Sequence, residues 1–175
     1  IVNADGTVSI TTSSSSVTQS LGSETTFTAN SAEHVSTVFD SNAGKTVIAW
    51  NDNASQGTAR VGTVSGTSIS YGTAVAFESA NSKDITTAFD SNSNKVVISY
   101  RDYGNSQYGT AIVGTVSGTD ISFGSPVVYE SASAPDSSIA FDSSNNKVVI
   151  VYYDEGNSNY GKAIVGTVSG TSISF

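Results

Sequence analysis

The sequence predicts an all-β protein made of antiparallel four-stranded units. Three observations support this: the residue types, a repeat of about fifty residues, and the strand pattern inside each repeat. Only 37% of residues are hydrophobic, and the rest are dominated by Ser, Thr, Gly and Asn. Leu occurs once, at Leu21, and Met is absent, so good helix formers are scarce. Val, Ile, Thr, Tyr and Phe, which suit a pleated and half-buried surface, recur throughout.

The repeat is explicit. Gly-Thr-Val-Ser-Gly-Thr stands at Gly62, Gly114 and Gly166, spaced by 52 residues each time (114 − 62 and 166 − 114). Phe-Asp-Ser stands at Phe39, Phe89 and Phe141, spaced by 50 and then 52. The two-residue difference lies in one loop, shorter after Asp52 than after Asp102. A fixed period of this size marks a propeller, a solenoid or an array.

Each unit reads as four strands in order. The first is short and ends in Phe-Asp, at Ile85 to Asp90 and Ser138 to Asp142; a polar turn follows. The second, Val96 to Tyr100 and Val148 to Tyr153, is almost continuously apolar, as a strand covered on both faces would be. A loop of Gly, Asn and Ser leads to the third, Thr110 to Val116 and Lys162 to Val168. A tight Ser-Gly-Thr turn then opens a fourth strand in which Ile121 and Phe123 alternate with polar residues. The chain runs on through Gly-Ser-Pro and Val127 to Tyr129 toward the next unit.

Four antiparallel strands in about 50 residues describe the blade of a β-propeller. A β-solenoid is the rival, but solenoid coils usually run shorter than about 50 residues. The expected units are 31–79, 80–131 and 132–175. Three do not close a ring, since propellers typically have about four to eight blades. Phe175 falls halfway along a fourth strand, and Leu21-Gly-Ser-Glu-Thr-Thr-Phe27 resembles Phe123-Gly-Ser-Pro-Val-Val-Tyr129. Residues 1–30 therefore read as the degenerate tail of an earlier unit, with the Ser-rich stretch Thr11 to Ser16 as a linker, an exposed loop or an edge strand. A chain beginning at Ile1 reads as processed, cut from something longer or incompletely described. A piece of a longer propeller, a subunit that closes by oligomerising, and an open array in a fibre all stay open.

Composition also limits the partners. The formal charge is −8, with seven basic residues against fifteen acidic ones, which opposes binding to nucleic acid or to an anionic membrane. No apolar run approaches the roughly 20 residues of a membrane-spanning helix. An acidic chain repels its copies at low salt, and saline surroundings screen that repulsion. The absence of Cys excludes disulfides and thiolate metal sites.

The residues that could do chemistry mostly repeat, whereas an active site needs a unique constellation. Asp40, Asp90 and Asp142 are one position of three units, expected to end a strand and begin a turn. His34 is the single histidine, expected in an exposed loop before the first strand, and it marks no serine as a nucleophile. One His without Cys makes a poor zinc site. The chain is therefore expected not to be an enzyme. Calcium at Asp102, Asp154 and Glu155 is the one metal the oxygen-rich loops suggest, although their spacing matches no known cage. Trp50, Tyr100 and Tyr152 share a position read as packing between units. Tyr103, Asn105 and Tyr108, with Tyr153, Asn157 and Tyr160, set aromatic faces beside amides, the combination that binds sugars. Asn53-Ala-Ser is a glycosylation sequon.

Two resemblances add to this. The loop Asp102-Tyr-Gly-Asn-Ser-Gln-Tyr108, repeated at Asp154-Glu-Gly-Asn-Ser-Asn-Tyr160, resembles the Asp-box of sialidases and other propellers, with Ser for Thr and the aromatic one place late. In those families the box is a structural hairpin away from the active site. Sialidase activity does not come with it, because that family grips its substrate with three arginines and this chain has Arg60 and Arg101. The phrases Asn-Lys-Val-Val-Ile, Tyr-Gly-Thr-Ala-Ile-Val-Gly-Thr-Val-Ser-Gly-Thr and Ile-Ser-Phe-Gly-Ser-Pro-Val-Val resemble tandem repeats in large structural proteins of marine bacteriophages, cyanophages among them. That resemblance covers Ser31 to Phe175, while Ile1 to Asn30 departs from it. It implies an extracellular or virion-associated fibre or appendage that touches a host surface. The expectation is a structural or adhesive module that associates with itself or with neighbouring subunits. The alternative is a lectin-like propeller binding a cell-surface glycan.

Overall fold

The computed structural model describes Ala4, residues 21 to 52 and residues 56 to 175. The Ser-rich stretch and most of the N-terminal segment lie outside the described residues, as does the sequon at Asn53. Every regular element among the described residues is a β-strand.

The first unit contains β1 (Ala32–Asp40), β2 (Lys45–Asp52), β3 (Gly57–Ser65), β4 (Ser68–Tyr71) and β5 (Val75–Glu78). The second contains β6 (Ser82–Asp90), β7 (Lys95–Asp102), β8 (Tyr108–Ser117), β9 (Asp120–Phe123) and β10 (Val127–Ser133). The third contains β11 (Ser138–Asp142), β12 (Lys147–Asp154), β13 (Tyr160–Ser169) and β14 (Ser172–Ser174). Each unit is one antiparallel sheet in the order first, second, third, fourth strand. The fold is therefore all-β and propeller-like, an open set of three blades.

The expected fourth strand is broken in two. β4 pairs with the second half of β3, from Gly62 to Ser65, and β5 pairs with its first half, from Gly57 to Ala59. β9 and β10 divide β8 in the same way. The Gly-Thr or Gly-Ser-Pro step between the halves is thus a break inside the outermost strand, and β10 runs two residues past the expected unit end at 131.

Local chemistry fixes the turns. Asp40, Asp90 and Asp142 each end a first strand, and each Oδ1 accepts two backbone N–H groups of the turn that follows. The left-handed residue these turns need is Gly44, Asn94 or Asn146, types that tolerate that conformation. In the third-to-fourth strand hairpins, Gly66, Gly118 and Gly170 supply positive φ.

The second strands explain the stacking. Along β7, Val96, Ile98 and Tyr100 point into the core shared with the first unit, where they meet Val47, Ala49, Ala59 and Val61. Val97 points the other way, with Ala111 and Val113, into the core shared with the third unit around Val148, Ile150, Tyr152 and Ile173. A strand buried on both faces reads as continuously apolar, which is why β7 lacks alternation. The first strands β1, β6 and β11 lie side by side, and Ser36 and Thr87 share a hydrogen bond of 2.9 Å between them.

His34 is not in a loop. It lies within β1, in a bulge between Glu33 and Ser36, with a left-handed backbone (φ 49°). Asp84 (φ 51°) occupies the same bulge in β6, and Asp136 (φ 53°) the equivalent place just before β11. The added bulge residue breaks the period-two pattern, which is why the second unit's first strand reads from the sequence as starting at Ile85 instead of Ser82. Asp84 lies between units: Arg101 Nε contacts it at 2.9 Å, His34 Nδ1 at 3.8 Å, and its carbonyl accepts the Ser137 hydroxyl at 3.0 Å.

Candidate functional site at the loop rim

In the second and third units the loops joining second and third strands lie at the same end of their sheets and form one rim. In the second unit, the N–H groups of Gly104 (2.8 Å) and Asn105 (3.2 Å) donate to Asp102 Oδ1, and Gln107 N–H donates to the Asp102 carbonyl at 2.8 Å. Ser106 and Gln107 are left-handed, and so are Ser158 and Asn159 in the third unit. Gly156 N–H likewise donates to Asp154 Oδ1 at 2.8 Å. Each loop is also tied to the chain just before its own unit's first strand: Tyr103 N–H donates to Asn81 O, and Glu155 N–H to Ser133 O at the end of β10. The two loops are therefore one pinned structure presented twice.

The predicted sugar-binding residues differ in how open they are. Tyr103 is half-buried, with Arg101 5.1 Å and Lys83 5.0 Å from its ring centre, so these two cations, neighbours in the β6–β7 ladder, occupy its aromatic face. Asn105 and Asn157 are exposed, Tyr108 is half-buried, and Tyr160 is largely open to solvent. Tyr153 lines a cavity of about 520 Å³ with Asp136, Val151, Tyr152, Gly161, Lys162 and Ala163. The calcium candidates are engaged elsewhere: Asp102 and Asp154 hold backbone amides, and Asp154 also pairs with Lys162. Glu155 is exposed, and among the described residues no group of three acidic, His or Cys side chains is placed to hold a metal.

What the sequence reading missed is an acid cluster beneath the loops, in which the aspartate is buried and the glutamate half-buried. The Tyr100 hydroxyl donates to Glu78 Oε2 at 3.3 Å, next to the buried Asp102. One repeat later, the Tyr152 hydroxyl donates to Glu130 Oε2 at 3.0 Å beside Asp154. The signal was present as an aromatic-Glu pair, Phe77-Glu78 and Tyr129-Glu130. The two clusters differ in one residue: Lys162, which pairs with both Glu130 and Asp154, stands where the second unit has buried Thr110. Burial, then the charge of Glu78, pushes the Asp102 carboxyl up, against the pull of the Gly104 and Asn105 amides. Asp154 moves down instead, chiefly through its bond to Lys162. Burial and Glu130 push the Tyr152 phenol up to about 12.

These opposite shifts make a pH prediction. A carboxyl whose folded pKa is raised weakens the fold once ionised, so Asp102 favours stability as pH falls toward its ordinary range near ~4. Asp154, shifted down, contributes stability that is lost below that range. Lys162→Thr gives the third cluster the uncharged residue of the second, and is expected to lower the urea midpoint near neutral pH, because Glu130 and Asp154 lose their shared cation. The loss shrinks as pH falls below the ordinary carboxylate range near ~4, where protonation of Asp154 removes the pair in the wild type as well. Urea titrations of both proteins across that range measure it, and an equal loss at all pH values refutes the cluster's electrostatics.

No protein-family model, curated protein or solved structure matches the chain. The functional reading therefore rests on the rim, the clusters and the repeat themselves.

Proposed function

We propose that this chain is a non-enzymatic structural and adhesive repeat module of a virion appendage or extracellular assembly. The observation behind this reading is the pair of similarly pinned loops, Asp102 to Tyr108 and Asp154 to Tyr160, on one rim. A rigid scaffold that repeats one exposed loop favours weak contacts added through multivalency, not a single tight site. The acidic residues are compatible with this: the recurring aspartates at the turns and rim hold backbone amides. The resemblance to marine phage repeats supports the setting, and the exposed Tyr160, Asn105 and Asn157 supply the contact chemistry.

The test is retention on immobilised cell-surface polysaccharide with the chain displayed in many copies on beads. Retention is expected to fall at least about 100-fold when display drops to single copies, the scale of avidity over single-site binding. It is also expected to fall on substituting Tyr108→Ala and Tyr160→Ala together. Retention unchanged by both treatments removes the adhesive reading, and turnover of glycosides removes the non-enzymatic one.

A further inference from the structure

Three glycines at one repeat position have different surroundings. A Cβ at Gly57 would lie 2.6 Å from Phe77 Cζ, and one at Gly109 would lie 2.6 Å from Tyr129 Cζ. At Gly161 nothing lies within 4 Å. The cavity beside Gly161 is thus the aromatic socket that Phe77 fills in the first unit and Tyr129 in the second. The rest of that face is open as well. Val165 is 54% exposed and Val151 46%, while their counterparts Val113 and Ser99 are fully covered by the next unit. Among the described residues, the first half of β13 pairs with no outer strand, although β3 has β5 and β8 has β10 there.

A segment of the kind that covers this face in the other units stands at the opposite end of the stack. Phe27 occupies the same repeat position as Phe77 and Tyr129, spaced by 50 and then 52 residues. Phe27 lies 5.3 Å from Trp50, as Phe77 lies 5.2 Å from Tyr100 and Tyr129 5.2 Å from Tyr152. Gly22 sits close under the Thr67 carbonyl, as Gly72 does under Thr119 and Gly124 under Thr171. Residues 22–27 therefore hold the first unit as 72–77 hold the second. In Phe77 and Tyr129 the ring has a second neighbour, the glycine of its own unit's third strand; the described residues give Phe27 none. Beside it, Val35 (51%) and Phe39 (59%) are exposed, whereas their counterparts Ile85 and Phe89 pack against the preceding unit.

We infer that a second copy of this chain docks head to tail on the third unit, its Phe27 filling the socket at Gly161 and its 22–27 segment pairing with the start of β13. The inference rests on the reading of the chain as a structural repeat module and supplies its partner. The contact repeats the two interfaces already inside the chain, which commits it to a heterologous geometry that yields closed rings or filaments.

Sedimentation velocity and light scattering test this on the full chain. The wild type is expected to assemble beyond a monomer, with the shift strengthened by salt that screens its net negative charge. Gly161→Trp plugs the socket, and Val35→Asp with Phe39→Asp spoils the opposite end; each variant alone is expected to be monomeric. Mixed together, they are expected to form a one-to-one dimer, since each keeps the end the other lost, and that rescue shows that both are folded. A wild type monomeric at about 100 μM, well above a micromolar contact, overturns the inference. So does a Val35/Phe39 variant that keeps the wild-type mass, because it would mean like faces pair, and so does a mixture that stays monomeric. Bead retention is read separately, so a monomer that still adheres sinks only the docking.

Discussion

Valine at Gly109 is expected to lower the unfolding free energy by about 3 kcal/mol, while valine at Gly161 changes it by no more than about 0.5 kcal/mol. The two positions are one repeat apart and share strand, register and neighbouring sequence. They differ in what stands over them. At Gly109 a side chain would displace the buried Tyr129 ring and press on Ala134, whose Cβ lies 3.0 Å from where the new Cβ would stand. Moving Tyr129 also breaks its hydroxyl contact with Ser99 (3.1 Å) inside the core. At Gly161 the new side chain meets open space. Urea unfolding of dilute chain, at concentrations where it is monomeric, measures both. Equal costs at the two sites would mean that the third unit's face is covered after all.

Tyr100→Ala is expected to cost about 4 kcal/mol, and Tyr100→Phe less than about 1 kcal/mol. The ring is fully buried and meets Phe77 edge-on, with Phe77 in turn against Phe123 at 5.8 Å. Removing it empties the centre of the interface between the first and second units. The hydroxyl matters far less, because its bond to Glu78 is long at 3.3 Å and the acid stays solvated enough to tolerate its loss. Denaturant melts of the two variants separate ring from hydroxyl. A Phe variant as damaged as the Ala variant would place the stability in the acid cluster instead.

Much of this architecture was legible in the sequence because its causes are local. Asp90 before Ser-Asn-Ser-Asn is a turn whatever surrounds it, and Gly118 after Ser117 can open a two-residue hairpin from its own backbone freedom. The unbroken apolar run at Val96 to Tyr100 announced two covered faces, and the likeness of Phe27 to Tyr129 was visible as wording. The rest depends on partners distant in the chain. Tyr103 reads as a free aromatic face because nothing near it in sequence says that Lys83, twenty residues earlier, crosses the ladder to lie over it. The β10 segment looks like a connector because its partner, the first half of β8, is reached only after the outer strand breaks. Asp84 was invisible because a bulge leaves no periodic trace.

The aromatic shared across each boundary has a consequence for how such a chain changes length over generations. Phe77 lies on a strand hydrogen-bonded into the first unit and packs against Tyr100 of the second, and Tyr129 straddles the next boundary in the same way. A tandem duplication of residues 80–131 would insert one more boundary of a kind already present and disturb no other. Copy number is therefore nearly free to drift by recombination in whole periods, whereas an insertion of any other length would separate a ring from its socket.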